Sequence, residues 1–303
     1  MTEYLTGVKQ TAALEISELL ADGREGGQVI VNGAVHTIRD MGNVSFVILR
    51  KREGLLQCVY EEGTADFPRK ILKEAAAVEV TGILEKNEKA PNGIEIRMKA
   101  VILSEPAGGQ MPLPIAKWKL NTSLEAKLNY RPVALRNIRE RAKFRLQEGL
   151  CRAFRDFLYG QGFTEIHTPK IGARGAEGGA NLFKLSYFHK PAVLAQSPQF
   201  YKQMMVGVFD RVFETAPVFR AEKHNTKRHL NEYTSLDLEM GYIEGFEDLM
   251  ALETGYLQYA FALLEKEYQR ELKILGVTLP KTDKIPAVRF DRIKELAAEK
   301  YGH

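Results

Sequence analysis

Residues 216–229 read Ala216-Pro217-Val218-Phe219-Arg220-Ala221-Glu222-Lys223-His224-Asn225-Thr226-Lys227-Arg228-His229, and the chain soon continues as Leu236-Asp237-Leu238-Glu239-Met240. An Arg two residues before a Glu, a polar loop from Lys223 to Lys227, and a further Arg predict two antiparallel strands joined by a basic loop. Period-2 alternation puts Arg220 and Glu222 on one face of the first strand. It likewise puts Asp237 and Glu239 on one face of the second, with Leu236, Leu238 and Met240 on the other. Taken alone, Arg-x-Glu is an ordinary surface ion pair. Here it follows an apolar run, Val212-Phe213 and then Ala216 to Phe219, and buried charges cost several kcal/mol unless paired or liganded. Packing alone explains such a face poorly. A cation and an anion fixed side by side can hold a triphosphate and an amine or base edge together, which is what activating a carboxylic acid with ATP requires.

Working outward, 303 residues suffice for two domains, and apolar content and charge are ordinary for a soluble globular chain. Cys58 and Cys151 stand far apart in apolar contexts, with no metal spacing, and are read as packing residues in a reducing cytoplasm. No run approaches a membrane-spanning length, and the N-terminus lacks a signal peptide's apolar core. The net charge of +4 is uneven: residues 1–110 carry 13 Lys+Arg against 16 Asp+Glu, and the remainder 30 against 23. The more basic second part suits phosphate ligands.

The first part is strand-rich. A short helix is expected over Ala12 to Leu20, strands at Val29 to His36, Val44 to Leu49 and Leu55 to Tyr60, a short helix at Phe67 to Ala77, and strands at Val78 to Leu84 and Ile94 to Leu103. Five strands with one helix between the third and fourth is the order of an OB-fold, a small barrel that often binds oligonucleotides. The organisation expected is residues 1–105 for this barrel, with 1–25 as an extension, a Pro/Gly-rich linker at 106–125, and 126–303 for the rest. Beyond the linker, a long helix is predicted over Ile138 to Gly160 and another from about Phe246 to Leu272. Phe163 to Pro169 reads as a strand that Pro169 confines to an edge or interface.

In this order the blocks resemble the aspartyl-tRNA synthetases, class II aminoacyl-tRNA synthetases with an N-terminal OB domain, and among them the archaeal and eukaryotic branch. Gly162 to Pro169 is similar to class II motif 1, and Phe219 to Glu239 to motif 2. Glu177-Gly178-Gly179-Ala180-Asn181 and Ala195 to Gln203 are similar to the segments that recognise aspartate. The likeness runs from about residue 27 to the C-terminus. It implies an α+β fold, an OB barrel followed by an antiparallel catalytic sheet flanked by helices, and an aspartate–tRNA ligase serving protein biosynthesis in the cytoplasm. Its substrates would be ATP with Mg2+, aspartate and tRNA(Asp), with acceptance of tRNA(Asn) left open, and its assembly a homodimer through motif 1.

The resemblance also assigns roles. Arg220 would contact the ATP α-phosphate and the aspartate carboxylate, and Glu222 would accept from the adenine amino group. His229 or Arg228 would reach the outer phosphates, and Tyr233 would lie under adenine. Glu177, Gln199 and Asp237 would gather around the aspartate ammonium, Lys202 would pair with its side-chain carboxylate, Ser197 would line the same pocket, and Glu239 would order the network. Phe46, Gln57 and Glu95 would read the anticodon. The residues agree on several points. Lys202 follows Gln199 by three, so both face one side if a helix begins at Ser197-Pro198 with Pro at its first position. Glu177-Gly178-Gly179 is a flexible acidic loop. Choosing aspartate over asparagine needs a fixed cation. Phe46 shares its strand face with Ile48 and Arg50, the more polar face, and so reads as a stacking platform rather than core. His36 and Arg39 could touch RNA, although a lone strand His is usually satisfied locally.

Two departures stand out. Ala34 occupies a position where the family often has Trp. After Glu239 there is no Gly-rich strand and helix with an Arg, the family's motif 3, which carries its metal-binding carboxylates and its Arg for the ATP γ-phosphate. On this reading the chain is a fragment of a normal synthetase. The alternatives are a natural truncated paralog that binds tRNA or a partner without activating aspartate, and an OB-type RNA-binding module fused to a non-catalytic sheet.

Overall fold

The computed structural model describes residues 12–21, 24–105, 109–176, 181–224, 226 and 229–302. The chain divides into two units, Met1–Arg141 and Ala142–His303.

In the first unit a helical turn, α1 (Ile16–Leu19), precedes β1 (Gln28–Asp40), β2 (Val44–Arg50), β3 (Leu55–Glu61), β4 (Ala77–Lys86) and β5 (Ile94–Glu105). They close a barrel in the order β1-β2-β3-β5-β4, with β3 and β5 the parallel pair. Alternation explains the core: Val31, Val35, Val47, Leu49, Leu56, Cys58, Val80, Ile96 and Met98 are fully buried and pack together inside. Burial pushes the Cys58 thiol up to about 12, which fits a packing residue. The helix expected over Phe67 to Ala77 is instead one 3-10 turn, Arg69–Ile71. Buried Leu72 and Ala76 draw the chain onto the barrel core, and Ala75 adopts a φ of 71, which no α-helix passes through.

Helical structure resumes only at the end of the stretch expected to be a linker, 106–125. Residues 109–141 contain α2 (Leu124–Asn129) and α3 (Arg131–Ala134), and a small core of Leu113, Ile115, Leu120 and Ala134. Buried Asn137 ties them by donating from Nδ2 to the Ile115 and Lys117 carbonyls, at 2.9 and 2.7 Å.

Helix α4 (Ile138–Gly160) starts in the last residues of the first unit and runs on into the second, which then contains β6 (Thr164–Glu165), β7 (Ile171–Gly172), β8 (Lys184–Tyr187), β9 (Lys190–Leu194), α5 (Gln199–Phe209), β10 (Arg211–Phe219), β11 (Glu232–Met240), α6 (Phe246–Glu267), α7 (Gln269–Leu275) and α8 (Phe290–Tyr301). One sheet has the order β11-β10-β6 and a second the order β7-β9-β8. One face of the first sheet is apolar: Phe213, Leu236, Leu238 and Met240 pack with Phe154, Phe157 and Leu158 of α4 and with Leu252 and Tyr256 of α6. The single helix read to Leu272 is broken at Tyr268, whose backbone leaves helical geometry. Its buried side chain packs with Leu264 and Leu272, and its hydroxyl donates to Glu148 at 2.9 Å. Of the strand expected over Phe163 to Pro169, only β6 forms, paired in parallel with β10.

Candidate functional site

The opposite face of the β10–β11 hairpin is polar, and the register states who meets whom. Val218 faces Tyr233, Ala216 faces Ser235, Glu214 faces Asp237 and Val212 faces Glu239. Because directly opposed residues share a face, Tyr233, Asp237 and Glu239 line one side, as the alternation of residues 236–240 requires.

Arg220 lies just past the end of β10, not within it. Its N–H still donates to the Asn231 carbonyl at 2.9 Å, but the Glu222 N–H turns back to the Arg220 carbonyl at 2.8 Å and Ala221 donates to Asn181 at 2.9 Å. The ladder therefore ends at Phe219, and Arg220 and Glu222 stand on a turn. They remain together: Arg220, Glu222, His229, Leu230 and Tyr233 line a cavity of about 440 Å³. The Arg220 guanidinium carbon is 6.0 Å from the centre of the Tyr233 ring, within cation–π range. His229 Nε2 is 4.0 Å from Glu222 Oε2, and its Nδ1 is 2.6 Å from the Thr226 hydroxyl. The hollow thus carries a guanidinium, a carboxylate, an imidazole and an aromatic face. Arg228, read as an alternative phosphate contact, lies outside the described residues, as does Glu177.

Farther along the same face, α5 delivers a buried cation. Pro198 occupies its N-cap position, one residue ahead of the place expected, and the Ser197 hydroxyl accepts from the Gln199 N–H at 3.1 Å. Gln199 and Lys202 then share a helix face. Lys202, only 5 % exposed, donates to Asp237 Oδ1 at 3.0 Å and to the Leu238 carbonyl at 3.1 Å, with Glu239 Oε2 at 3.6 Å. Gln199 Nε2 donates to Glu239 Oε2 at 3.1 Å. Asp237 Oδ2 is buried and meets no hydrogen-bond partner. A carboxylate oxygen held dry costs free energy unless a donor reaches it, and an ammonium group is the donor that fits. Ser197 lines a different hollow, of about 520 Å³, with Pro169, Arg174, Phe200 and Tyr201.

Sequence reasoning missed Glu214. It is 2 % exposed and accepts from the Thr168 N–H at 2.7 Å, the Thr168 hydroxyl at 2.8 Å and Lys170 Nζ at 2.7 Å. The only local signal was a Glu in the apolar run Val212 to Phe219; its partners come from the segment after β6.

On the barrel, Gln57 and Glu95 are in register on β3 and β5. Gln57 Nε2 and Asn87 Nδ2 both donate to Glu95 Oε2 at 2.8 Å. Phe46 is half-buried and stands outside the cluster that fills the barrel. Among the described residues no three His, Cys, Asp or Glu side chains gather as a metal site, and no helix is long and apolar enough to cross a membrane.

The family described as tRNA synthetases class II (D, K and N) matches residues 123–300, and that described as an OB-fold nucleic acid binding domain matches residues 29–103. An aspartate--tRNA(Asp/Asn) ligase of Deinococcus radiodurans is 45% identical over 297 residues, covering 98% of this chain and 66% of the relative. An aspartate--tRNA(Asp) ligase of Pyrococcus furiosus is 41% identical over 295 residues, covering 94% and 65%. Among solved structures, asparaginyl-tRNA synthetase from Pyrococcus horikoshii complexed with asparaginyl-adenylate superposes with a TM-score of 0.84 at 27% identity, covering 95% of this chain and 67% of that one. Aspartyl tRNA synthetase from Entamoeba histolytica gives a TM-score of 0.75 at 31% identity, covering 95% and 63%. The chain thus spans slightly less than two thirds of the length of these curated relatives.

Proposed function

This chain belongs to the class II tRNA synthetases (D, K and N), and on that premise we propose that its site activates aspartate with ATP for transfer to tRNA. The observation that carries the reading is the pair formed by Lys202 and the unpartnered Asp237 Oδ2. A cation and a bare carboxylate oxygen side by side suit a zwitterion with one extra negative charge: the substrate ammonium goes to Asp237, and its side-chain carboxylate exchanges for an acid now on Lys202. The side-chain amide of asparagine offers no charge to Lys202. This favours aspartate even though one similar solved structure holds asparaginyl-adenylate.

In the proposed reaction the aspartate α-carboxylate attacks the ATP α-phosphorus, a P–O bond forms, and pyrophosphate leaves with the electrons of the bond it breaks. Arg220 lies beside the reacting phosphate and spreads the charge that develops there, Tyr233 carries the adenine ring, and Glu222 accepts from its amino group. Positioning and fixed charge supply the acceleration, and no side chain acts as nucleophile. The terminal adenosine hydroxyl of tRNA then attacks the mixed anhydride. Among the described residues no three His, Cys, Asp or Glu side chains gather into a cage for Mg2+. Phe46 is the stacking platform on the barrel, with Gln57 and Glu95 reading base edges. The homodimer through Gly162 to Pro169 belongs to the same proposal.

A gel shift with tRNA carrying the aspartate anticodon tests the RNA half. Binding should survive an excess of unrelated tRNA and weaken about tenfold or more in Phe46→Ala, the loss of one stacked base. Equal affinity for every tRNA would sink it. A tRNA with the asparagine anticodon, added as a third competitor, reports whether both are accepted.

A further inference from the structure

Strand β1 carries one residue more than β2 opposes: the register shifts between Val35 and Thr37, leaving His36 as the extra residue. A bulge re-aims the side chain it holds. His36 is 3 % exposed, and its Nδ1 meets no hydrogen-bond partner. Across the ladder Arg50 pairs with Ala34, and Arg50 Nη1 is buried and equally unpartnered.

More positive charge converges there. Burial first, then Arg50 and Arg141, lower the His36 pKa to about 4. Burial first, then Arg136 and Arg141, lower that of Arg50 to about 10. No carboxylate offsets either shift. Arg141 Nη1 donates to the Lys51 carbonyl at 3.0 Å, and Arg136 Nη1 lies 3.9 Å from Met111 Sδ, so both are held in place. The neighbouring Lys51 shows the contrast. It is 4 % exposed, but its ammonium has the Asn32 carbonyl at 2.7 Å, Asn32 Oδ1 at 3.2 Å and Glu15 at 3.9 Å. The Lys51 ammonium is thus answered by Asn32, whereas His36 Nδ1 and Arg50 Nη1 are not answered.

We propose that His36, Arg50, Arg136 and Arg141 form a binding site for a phosphate oxyanion on the barrel wall. A tetrahedral phosphate, free or in a nucleic-acid backbone, presents acceptor oxygens in more than one plane, enough for guanidinium forks and an imidazole N–H together. A carboxylate presents its two oxygens in a single plane. Two sources share this chemistry: free phosphate or pyrophosphate, and a backbone phosphate of bound RNA. Arg50 lies on the same face of β2 as Phe46, roughly 13 Å along the strand, within reach of one bound polynucleotide. The site itself stands on the barrel and holds whether or not the ligase reading does.

The test is calorimetric titration of the 303-residue chain with inorganic phosphate and with pyrophosphate, beside thermal melts in phosphate and chloride at equal ionic strength. Phosphate should raise the melting temperature beyond chloride. Arg50→Gln should bind phosphate on the order of tenfold more weakly, the loss of one charge-assisted hydrogen bond, and should lose most of the phosphate increment; His36→Asn should lose part of it. Arg50→Gln should melt no lower than the parent in chloride, since it removes an unanswered charge, which separates lost binding from lost folding. Lys70→Gln, at an exposed position of the 3-10 turn and outside the four residues of the site, should keep the increment. Equal increments in the parent, Arg50→Gln and His36→Asn, or no excess over chloride, would overturn the site. If saturating tRNA displaces the phosphate, the ligand is RNA backbone; if phosphate binds undiminished, it is the free ion.

Discussion

Glu214 and Asp237 stand directly opposite each other across β10 and β11, two carboxylates at a cross-strand spacing where like charges repel. Each is answered by its own lysine: Lys170 Nζ lies 2.7 Å from Glu214, and Lys202 Nζ 3.0 Å from Asp237. The two lysines come from different segments, one after β6 and one from α5, so this charge ladder fastens both to the sheet.

Removing one rung should therefore cost more than a surface pair would. Lys202→Met leaves Asp237 and Glu239 together without their cation on a half-buried face. The expected loss is about 3 kcal/mol, read as a lower urea midpoint at unchanged slope. Lys202→Met with Asp237→Asn should recover part of it; a double variant no better than the single would show that the two charges do not answer each other.

Glu214→Ala should be at least as damaging, about 3 kcal/mol, because it strands the Thr168 N–H and the Lys170 ammonium. Glu214→Gln keeps an acceptor for one of them and should lose less. Hydrogen exchange at Thr168 gives a local readout: protection should fall in Glu214→Ala by more than global destabilisation predicts.

His36 gives the fold a pH dependence with a defined sign. Its folded pKa, about 4, lies below the ordinary value of 6.5, so the unfolded chain takes up its proton first as pH falls. The stabilisation is complete above about 6.5 and is lost progressively toward 4. Other groups titrate in this range, so the measurement is a difference: denaturation midpoints of the parent and of His36→Asn should converge as pH drops from 7 to 4. A constant gap would mean that His36 titrates normally.

The sequence was most readable where period-2 patterns matched membership of the apolar clusters. Val47 and Leu49 against Phe46 and Ile48, and Leu236, Leu238 and Met240 against Asp237 and Glu239, disclosed both barrel and hairpin faces. It was least readable where long-range contacts override local pattern. Tyr268 breaks a helix because its ring and hydroxyl are engaged by α4, more than a hundred residues earlier in the chain. Residues 67–77 failed as a helix because their apolar side chains close the barrel. Arg220 and Glu222 were read as strand neighbours, yet Asn181 and Asn231 set their geometry. The Glu214 cluster and the His36 bulge left only faint local traces, since each is defined by partners from separate segments.

The proposed pocket for a dicarboxylic amino acid is formed by Lys202 and Asp237, on the strand face that also carries Tyr233. Calorimetric titration with two stable adenylate mimics, aspartyl- and asparaginyl-sulfamoyl adenosine, tests it most directly. The aspartyl mimic should bind at least about tenfold more tightly, the worth of one charge-assisted contact, and Lys202→Met should abolish the preference. Equal affinity for the two mimics, or a preference unchanged by Lys202→Met, would contradict it.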